Sequence, residues 1–320
     1  MESALVIAYQ ALIMFILLAV GYFLYKKKLV GDEATKQFSN IAVSLINPIV
    51  IFNAYQTEFD PNLLRGLLWA GGLAIAAHVV LIFASIVFVR KGREHWRVDR
   101  FSMIYSNCAF MGIPLIEATF GIEGVFYLTG FITIFNLFIW IHGVILMSDG
   151  GKRSAAETAK SLIKIILSPA ILAVVIGLIM FFTGLRLPSF LQTPLDYLGS
   201  MNTPLAMLVS GATIAKAGIL GGLRCKRIYY VQAFKLLIVP VLLAAVFVPM
   251  RVLGADLMII NIVLIAAAAP TASSTIMFAY KYGQDAEYAS NQFALSTIAG
   301  IITMPLVLLV SGLLSQIMTF

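Results

Sequence analysis

The stretch from Phe101 to Gly121 is long and apolar enough to cross a membrane, yet its middle carries residues that interrupt helices. Pro114 lacks a backbone donor and clashes with the preceding turn, and Gly112 adds flexibility, so we expect the helix to break near Gly112. Backbone groups freed inside a membrane must be satisfied by other protein or by a water-filled cavity. This interruption therefore predicts a place where something polar binds or passes.

A second apolar stretch, Asn261 to Tyr282, carries a comparable interruption at its middle. Pro270 and Thr271 lie there, followed by a run of small polar residues that includes Ser273. Two interrupted spans in comparable positions of two halves are typical of the binding site of a transporter.

The composition excludes a soluble domain. Hydrophobic residues make up 61% of the 320 residues and charged residues only 12%, which indicates a polytopic membrane protein. Cys108 and Cys225 show no metal-ligand spacing, so we expect neither a metal site nor a cofactor. The first apolar run has no basic region before it and no cleavage signal after it, so it is expected to be a retained span.

Ten apolar segments of helical length predict an all-α polytopic membrane protein with ten transmembrane helices. The segments are Ala4–Tyr25, Phe38–Tyr55, Gly66–Val89, Phe101–Phe120, Glu123–Met147, Ser161–Thr183, Tyr197–Ala217, Ile228–Val248, Leu257–Tyr282 and Tyr288–Ser315. The longest polar connection divides them into a first five-helix repeat, a cytoplasmic connecting loop and a second five-helix repeat. These are residues 1–147, 148–160 and 161–320.

Matched features indicate that the two halves are inverted repeats. Asn47-Pro48 in span 2 corresponds to Asn202-Thr203-Pro204 in span 7, and the interruption of span 4 corresponds to that of span 9. Because each half has an odd number of spans, the second half has the opposite orientation to the first.

Basic residues fix the expected orientation. Alternate loops hold 18 of the 22 lysines and arginines, and the opposite loops hold 3. Basic loops are cytoplasmic by the positive-inside rule, so both termini are expected outside the plasma membrane. The net charge of +7 is then a topology signal, and no nucleic-acid partner is expected.

Three stretches of the chain resemble the auxin efflux carrier family, specifically its compact microbial members, and more distantly the bile-acid/sodium symporter superfamily. They are Asn47-Pro48, Asn107 to Pro114, and Ala269 to Ser273. The resemblance implies a scaffold of spans 1, 2, 6 and 7 and a transport domain of spans 3–5 and 8–10, with broken crossover helices 4 and 9 and elevator-type alternating access. The plant exporters differ in having a long hydrophilic middle loop and Asn-Pro-Asn in span 4.

The two interruptions predict an anion site. Half-helices starting near Gly112 and Thr271 would direct unpaired N–H groups and positive dipole ends into one small volume. Asn107 is the strongest candidate for a side-chain hydrogen bond there, whereas serines in membrane helices often bond only to their own backbone. The predicted substrate-binding residues are Asn47, Asn107, Gly112, Pro114, Lys235, Pro270, Thr271, Ser273 and Ser274.

Lys235 lies eight residues beyond Arg227, which places it roughly 12 Å along a helix. One interpretation is a lysine that extends to the cytoplasmic interface, and the other is a cation that pairs with Glu117 or with a substrate carboxylate.

Coupling to a Na⁺ or H⁺ gradient would need polar groups inside the spans. The predicted ion-coupling residues are Glu117, Asn136, Asn291 and Gln292. Glu117 is the acidic residue well within a span, although it lies toward the outer end, and interhelical hydrogen bonding would explain the three amides equally well. His78 and His142 lie in apolar spans, where a neutral histidine bonded to a neighbour is the commoner case.

The pattern favours a secondary active transporter or uniporter of a small organic anion, a carboxylate. The alternative is a membrane sensor that uses the same cavity without transport. No catalytic motif indicates an enzyme. The expected partners are the organic anion and the lipid bilayer, and a homodimer stays open.

Overall fold

The computed structural model describes residues 2–148, 163, 166–217 and 225–317. Helices, some with π-helical turns, account for nearly all secondary structure in these ranges, and the described residues contain no β-strand. The α-helices are α1 Glu2–Lys26, α2 Asp32–Ile41, α3 Asn47–Ala54, α4 Pro61–Phe88, α5 Trp96–Ile104, α6 Ile113–Phe138, α7 Val144–Met147, α8 Pro169–Thr183, α9 Ser189–Ser200, α10 Asn202–Ala217, α11 Lys226–Ala233, α12 Val239–Phe247, α13 Leu257–Ala268, α14 Ser274–Lys281 and α15 Ala286–Ile317. The π-helices are π1 Ala42–Ile46, π2 Cys108–Gly112, π3 Ile139–Gly143 and π4 Phe234–Ile238, and a 3₁₀ helix covers Val248–Leu253.

Helices α1 and α10 form the closest pair in the described structure. A Cβ atom added at Gly21 would clash with the backbone of Leu208, and one added at Gly211 would clash with the backbone of Leu18. Glycine on both helices therefore lets the two backbones touch, which is how membrane helices commonly associate in the absence of a hydrophobic driving force.

A second group of helices surrounds α13. This helix packs against α4, α6 and α15, and every residue from Ile262 to Ala272 is buried. A helix that is apolar on all sides is expected at the centre of such a group. The group holds the two interruptions in place.

The first interruption lies earlier in the sequence than predicted. Helix α5 ends at Ile104 and π2 begins at Cys108, so the break comprises Tyr105, Ser106 and Asn107. The prediction of a break near Gly112 is wrong, because the wider π-helical turn accommodates Pro114 and the chain continues as helix.

A π-helical turn also precedes two further prolines. Helix π1 directly precedes Asn47-Pro48, and π4 directly precedes Val239-Pro240. A π-helical turn shifts the hydrogen-bond register and removes the clash of the proline ring with the preceding turn.

The second interruption lies where the sequence predicts it. Helix α13 ends at Ala268, α14 begins at Ser274, and the residues between them are not helical. The sequence predicts a turn between the end of span 4 at Phe120 and the start of span 5 at Glu123. In the structure the chain changes direction there within α6, at Gly121, which has a φ of 66°. That left-handed conformation favours glycine.

Six helical runs are long and apolar enough to cross a membrane by length and composition. They are Ala8–Lys26, Asp32–Ala54, Pro61–Phe88, Cys108–Met147, Lys226–Leu253 and Ala286–Gln316, and Pro169–Thr183 and Leu257–Ala268 are shorter apolar helices. The structure is therefore an all-helical membrane protein, while ten spans in two inverted repeats stays a prediction. Most of the connecting loop 148–160 and the start of span 6 lie outside the described residues.

Candidate functional site at the crossing of two interrupted helices

The two interruptions meet and pair with each other. Ser106 and Thr271 form an isolated antiparallel bridge. The backbone N–H of Asn107 donates to Pro270 O at 2.7 Å, and that of Ala272 donates to Tyr105 O at 3.0 Å. The non-helical backbone is thus satisfied by protein, as it must be in a membrane. We call this place the crossing.

The crossing gathers the starts of two helices. The chain enters π2 directly after Asn107 and enters α14 two residues after Ala272. The first N–H groups of each helix have no intrahelical partner, and the positive ends of the helix dipoles lie there. The crossing is therefore suited to bind negative charge.

A chain of buried hydrogen bonds leads away from Thr271. Its hydroxyl lies 3.3 Å from Gln232 Nε2, and Gln232 in turn donates to Gln292 Oε1 at short range. Gln292 Nε2 donates to Asp99 Oδ1 at 2.8 Å. The backbone N–H of Thr271 donates to Ser296 Oγ at 3.1 Å. These bonds connect three helices, α5, α11 and α15, to the crossing.

Asp99, which sequence reasoning missed, is the end of this chain. Its side chain is fully buried, and its carboxylate accepts hydrogen bonds from Arg227 Nε at 2.5 Å and from Tyr288 OH at 2.8 Å. The ion pair satisfies a charge that would otherwise be costly to bury. Asp99 stands in a strongly basic segment, so it looked like a residue of a charged loop.

Lys235 is buried inside the protein, with 1% of its surface exposed. Its ammonium donates to Met103 O at 3.4 Å, two residues before the first interruption. It forms no ion pair with a carboxylate of the described residues, so the predicted pair with Glu117 is absent from them. The alternative in which Lys235 extends to the interface is wrong, because neighbouring helices enclose the whole side chain.

Several predicted site residues carry polar atoms without a partner among the described residues. Asn107 is 6% exposed, and its Nδ2 atom makes no hydrogen bond with the described residues. The buried hydroxyl of Ser274 also lacks a hydrogen-bond partner among them. Ser273 precedes α14 but its side chain does not cap the helix. Buried polar atoms of this kind need an explanation, such as a ligand or an ordered water.

Other predicted residues have structural surroundings. Gly112 and Pro114 are buried within the helix that follows the first interruption, and the ring of Pro270 packs beside Gly300. Asn136 donates to Ile132 O of its own helix at 2.8 Å. The structure does not bring Asn136 to the crossing through any hydrogen bond.

Glu117 lies apart from the other ion-coupling candidates. It lines a cavity of about 510 Å³ between α3, α6 and the segment from α8 to α9, which we call the outer cavity. Arg186 and Asp196 line the same cavity. Of the remaining candidates, Gln292 belongs to the buried chain, and Asn291 is buried with an unpartnered Oδ1.

His78 and His142, the two histidines in apolar spans, both have aromatic neighbours. The Nδ1 atom of His78 lies 2.7 Å from Ala74 O, and its ring stacks on Phe138 at 4.8 Å. His142 Nδ1 lies 2.9 Å from the hydroxyl of Tyr105. His142 thus contacts a residue of the first interruption.

Comparisons with known proteins find similarity to membrane transporters. The sequence profile of a family described as "Membrane transport protein" matches residues 6–308. An uncharacterized transporter of Methanocaldococcus jannaschii is 22% identical over 314 residues, which cover 92% of this chain and 96% of the relative. An uncharacterized transporter of Methanothermobacter thermautotrophicus is 23% identical over 309 residues, which cover 91% and 94%.

Proposed function

The chain belongs to the membrane transport protein family, the family of the auxin efflux carriers, and from this premise we propose that it is a carrier of a small organic anion, a carboxylate. Transport is the part of this statement that the family supports directly. The anionic substrate, the mechanism and the coupling rest on the crossing and its surroundings.

The buried Lys235 side chain beside the crossing is the observation that carries the choice of an anion. Lys235 is enclosed without a carboxylate partner among the described residues, and Gln232, three residues before it, bonds to Thr271 of the crossing. An uncompensated buried charge is unfavourable unless a counter-charge arrives. A substrate carboxylate would supply that charge, and the convergent helix starts would add to its attraction.

The proposed mechanism is elevator-type alternating access. The α1–α10 pair, with backbones in contact, is suited to a fixed scaffold, and the helices around α13 carry the crossing as one packed unit. In this mechanism the second group moves across the first and exposes the crossing to each side in turn. The uncovered position of Glu117 in a cavity between α3 and α6 fits a boundary between the two groups.

Coupling to a Na⁺ or H⁺ gradient is part of the proposal, with uniport as its simplest alternative. We assign Gln292 and Asn291 to a coupling ion. Both are buried, Gln292 belongs to the series of hydrogen bonds that begins at Thr271, and Asn291 directly precedes it in sequence. Asn136 and Glu117 are weaker candidates, since the first bonds to its own helix and the second lies in the outer cavity.

A reconstituted flux assay tests the proposal. The full chain is placed in liposomes, and uptake of labelled carboxylates such as malonate, malate and an aromatic acid is compared with uptake of an organic cation, with and without Na⁺ and pH gradients. We expect saturable uptake of at least one acid. Saturable cation uptake with inert acids would exclude an anion carrier, and acid binding without flux would favour the membrane sensor.

A further inference from the structure

Two asparagines outside the crossing are buried and lack hydrogen-bond partners among the described residues. Asn202 is 1% exposed, and neither its Oδ1 nor its Nδ2 has a partner. Asn47 is 5% exposed, and its Oδ1 has none. Most buried side-chain amides in proteins are hydrogen-bonded, because an unpaired one loses its hydration without compensation.

The two asparagines occupy equivalent places on neighbouring helices. Gly199, near the end of α9, lies against α3, and a Cβ added there would be in ordinary contact with Val50 Cγ2 at 3.6 Å. Asn47 lies three residues before Val50, and Asn202 lies three residues after Gly199. Asn53 donates to Asp196 and Leu187 N donates to Gln56, so the two segments run in opposite directions. Asn47 and Asn202 are therefore both displaced from this contact toward the same end of the pair, by three residues each.

A small apolar cluster contains residues close in sequence to both asparagines and to the crossing. It joins Ile46 of π1 and Leu205 of α10 to Phe110 and Met111 of π2. Asn107 directly precedes π2, and its Nδ2 is also unpartnered. Three asparagines with unsatisfied amide atoms therefore lie within three residues of members of one cluster, in which π1, α10 and π2 meet.

The lining of the outer cavity includes residues close in sequence to Asn47 and Asn202. Val50, Gly199 and Ser200 belong to its lining, and these are the residues one turn from Asn47 and directly before Asn202. The cavity of about 510 Å³ is of the size that holds a small ligand. The cavity therefore ends at residues that are two or three positions from the two asparagines in sequence.

We propose that Asn47 and Asn202 form a specificity site for an O–H or N–H group carried by the substrate, so that the transported acid is a hydroxy acid or an amino acid. This inference rests on the proposed function. A carboxylate has acceptors only, whereas the unpartnered Oδ1 atoms of Asn47 and Asn202 require a donor. The carboxylate is held at the crossing, and the donor group on the adjacent carbon faces the two amides.

The test compares matched acids that differ only in the donor group. Binding of lactate and propionate, malate and succinate, and mandelate and phenylacetate to the purified full chain is measured by calorimetry, with aspartate as the amino counterpart of malate. We expect the donor-bearing acid of at least one set to bind about ten-fold more tightly than its partner.

The Asn202→Ala and Asn47→Ala variants locate that preference. Each should remove most of the difference within the pair, while Asn40→Ala, an exposed position in α2, should keep it. Melting temperatures without acid should stay the same or rise, because the variants remove unsatisfied polar atoms. If Asn202→Ala does not fold, the affinity difference within each pair of acids is compared between Asn202→Ser and the wild type.

The outcomes separate this inference from the proposed function. Acids that bind with no difference between partners, or a difference that survives in both variants, would overturn the specificity site and leave an anion carrier in place. Ordered water on the two amides would give the first of these results. Binding of no acid at all would overturn the proposed function and the specificity site together.

Discussion

Ser106 and Thr271 form an antiparallel bridge between two helices that are both interrupted at the bridge. These residues are 165 positions apart in the sequence, yet each interruption satisfies a backbone N–H of the other: Asn107 N–H donates to Pro270 O, and Ala272 N–H donates to Tyr105 O. The pairing explains how two breaks are tolerated inside a membrane protein. It also fixes the starts of π2 and α14 beside each other, which is the geometry on which the proposed anion site rests.

Asn107→Ala should weaken substrate binding without unfolding the protein. Loss of a hydrogen bond to a charged group costs about 1.5–3 kcal/mol, or roughly ten- to a hundred-fold in affinity. The melting temperature should change little, since Asn107 Nδ2 has no partner among the described residues. Affinity and melting temperature are measured on the same preparation. Asn40→Ala, at an exposed position in α2, is the control and should keep its affinity. Unchanged affinity of Asn107→Ala with a lowered melting temperature would remove Asn107 from the site.

Lys235→Met should abolish anion uptake while leaving stability equal or higher. The substitution keeps the length of the side chain but removes a buried cation that has no carboxylate partner among the described residues. Lys226→Met removes an exposed cation from the start of the same helical run and should transport normally. Uptake rates and melting temperatures are compared, and normal uptake by Lys235→Met would contradict the electrostatic role.

Gly300→Ala should disrupt the crossing, because the new Cβ would lie 2.5 Å from Pro270 Cγ, and a proline ring cannot rotate away. We expect a loss of about 1–3 kcal/mol in the free energy of unfolding. Gly312→Ala in the same helix is the control, since a Cβ there meets nothing within 4 Å. That change should be neutral or stabilising by about 0.5–1 kcal/mol. Equal melting temperatures of the two variants would argue against close packing at Pro270.

Arg227→Met should destabilise the protein by about 3–5 kcal/mol, because it leaves the fully buried Asp99 carboxylate without its counter-ion. The exposed pair of Lys216 and Asp32 offers a comparison: Lys216→Met should cost less than about 1 kcal/mol. Chemical denaturation measures both. Adding Asp99→Asn to Arg227→Met should recover part of the loss, and no recovery would mean that Arg227 stabilises by packing alone.

The orientation is tested by cysteine labelling in intact cells, in a background with Cys108 and Cys225 replaced by serine. A cysteine at Lys152 should react with an impermeant reagent only after permeabilisation, whereas one at Arg186, which is exposed, should react at once. The charge distribution of 18 to 3 requires this result. Labelling of Lys152 from outside would reverse the orientation.

The sequence by itself determined the class of the protein. Long apolar segments with few charges have no stable alternative to membrane helices, so the all-helical fold follows from composition and length. The interruption at Pro270 was also predictable, because a run of proline and small polar residues favours no helix. The burial of Lys235 could be expected from its depth in an apolar segment, although the sequence left open whether the side chain reaches the interface.

Only the tertiary structure decided which atoms meet. Pro114 has the local properties of a helix breaker, yet a π-helical turn absorbs it and the break falls at Tyr105 to Asn107, where the other interrupted helix supplies the backbone partners. Asp99 looked like a loop charge until Arg227, from a distant helix, was placed beside it. Local propensity sets where a helix can end, whereas pairing between distant segments selects where it does, because a buried polar group is stable only beside its partner.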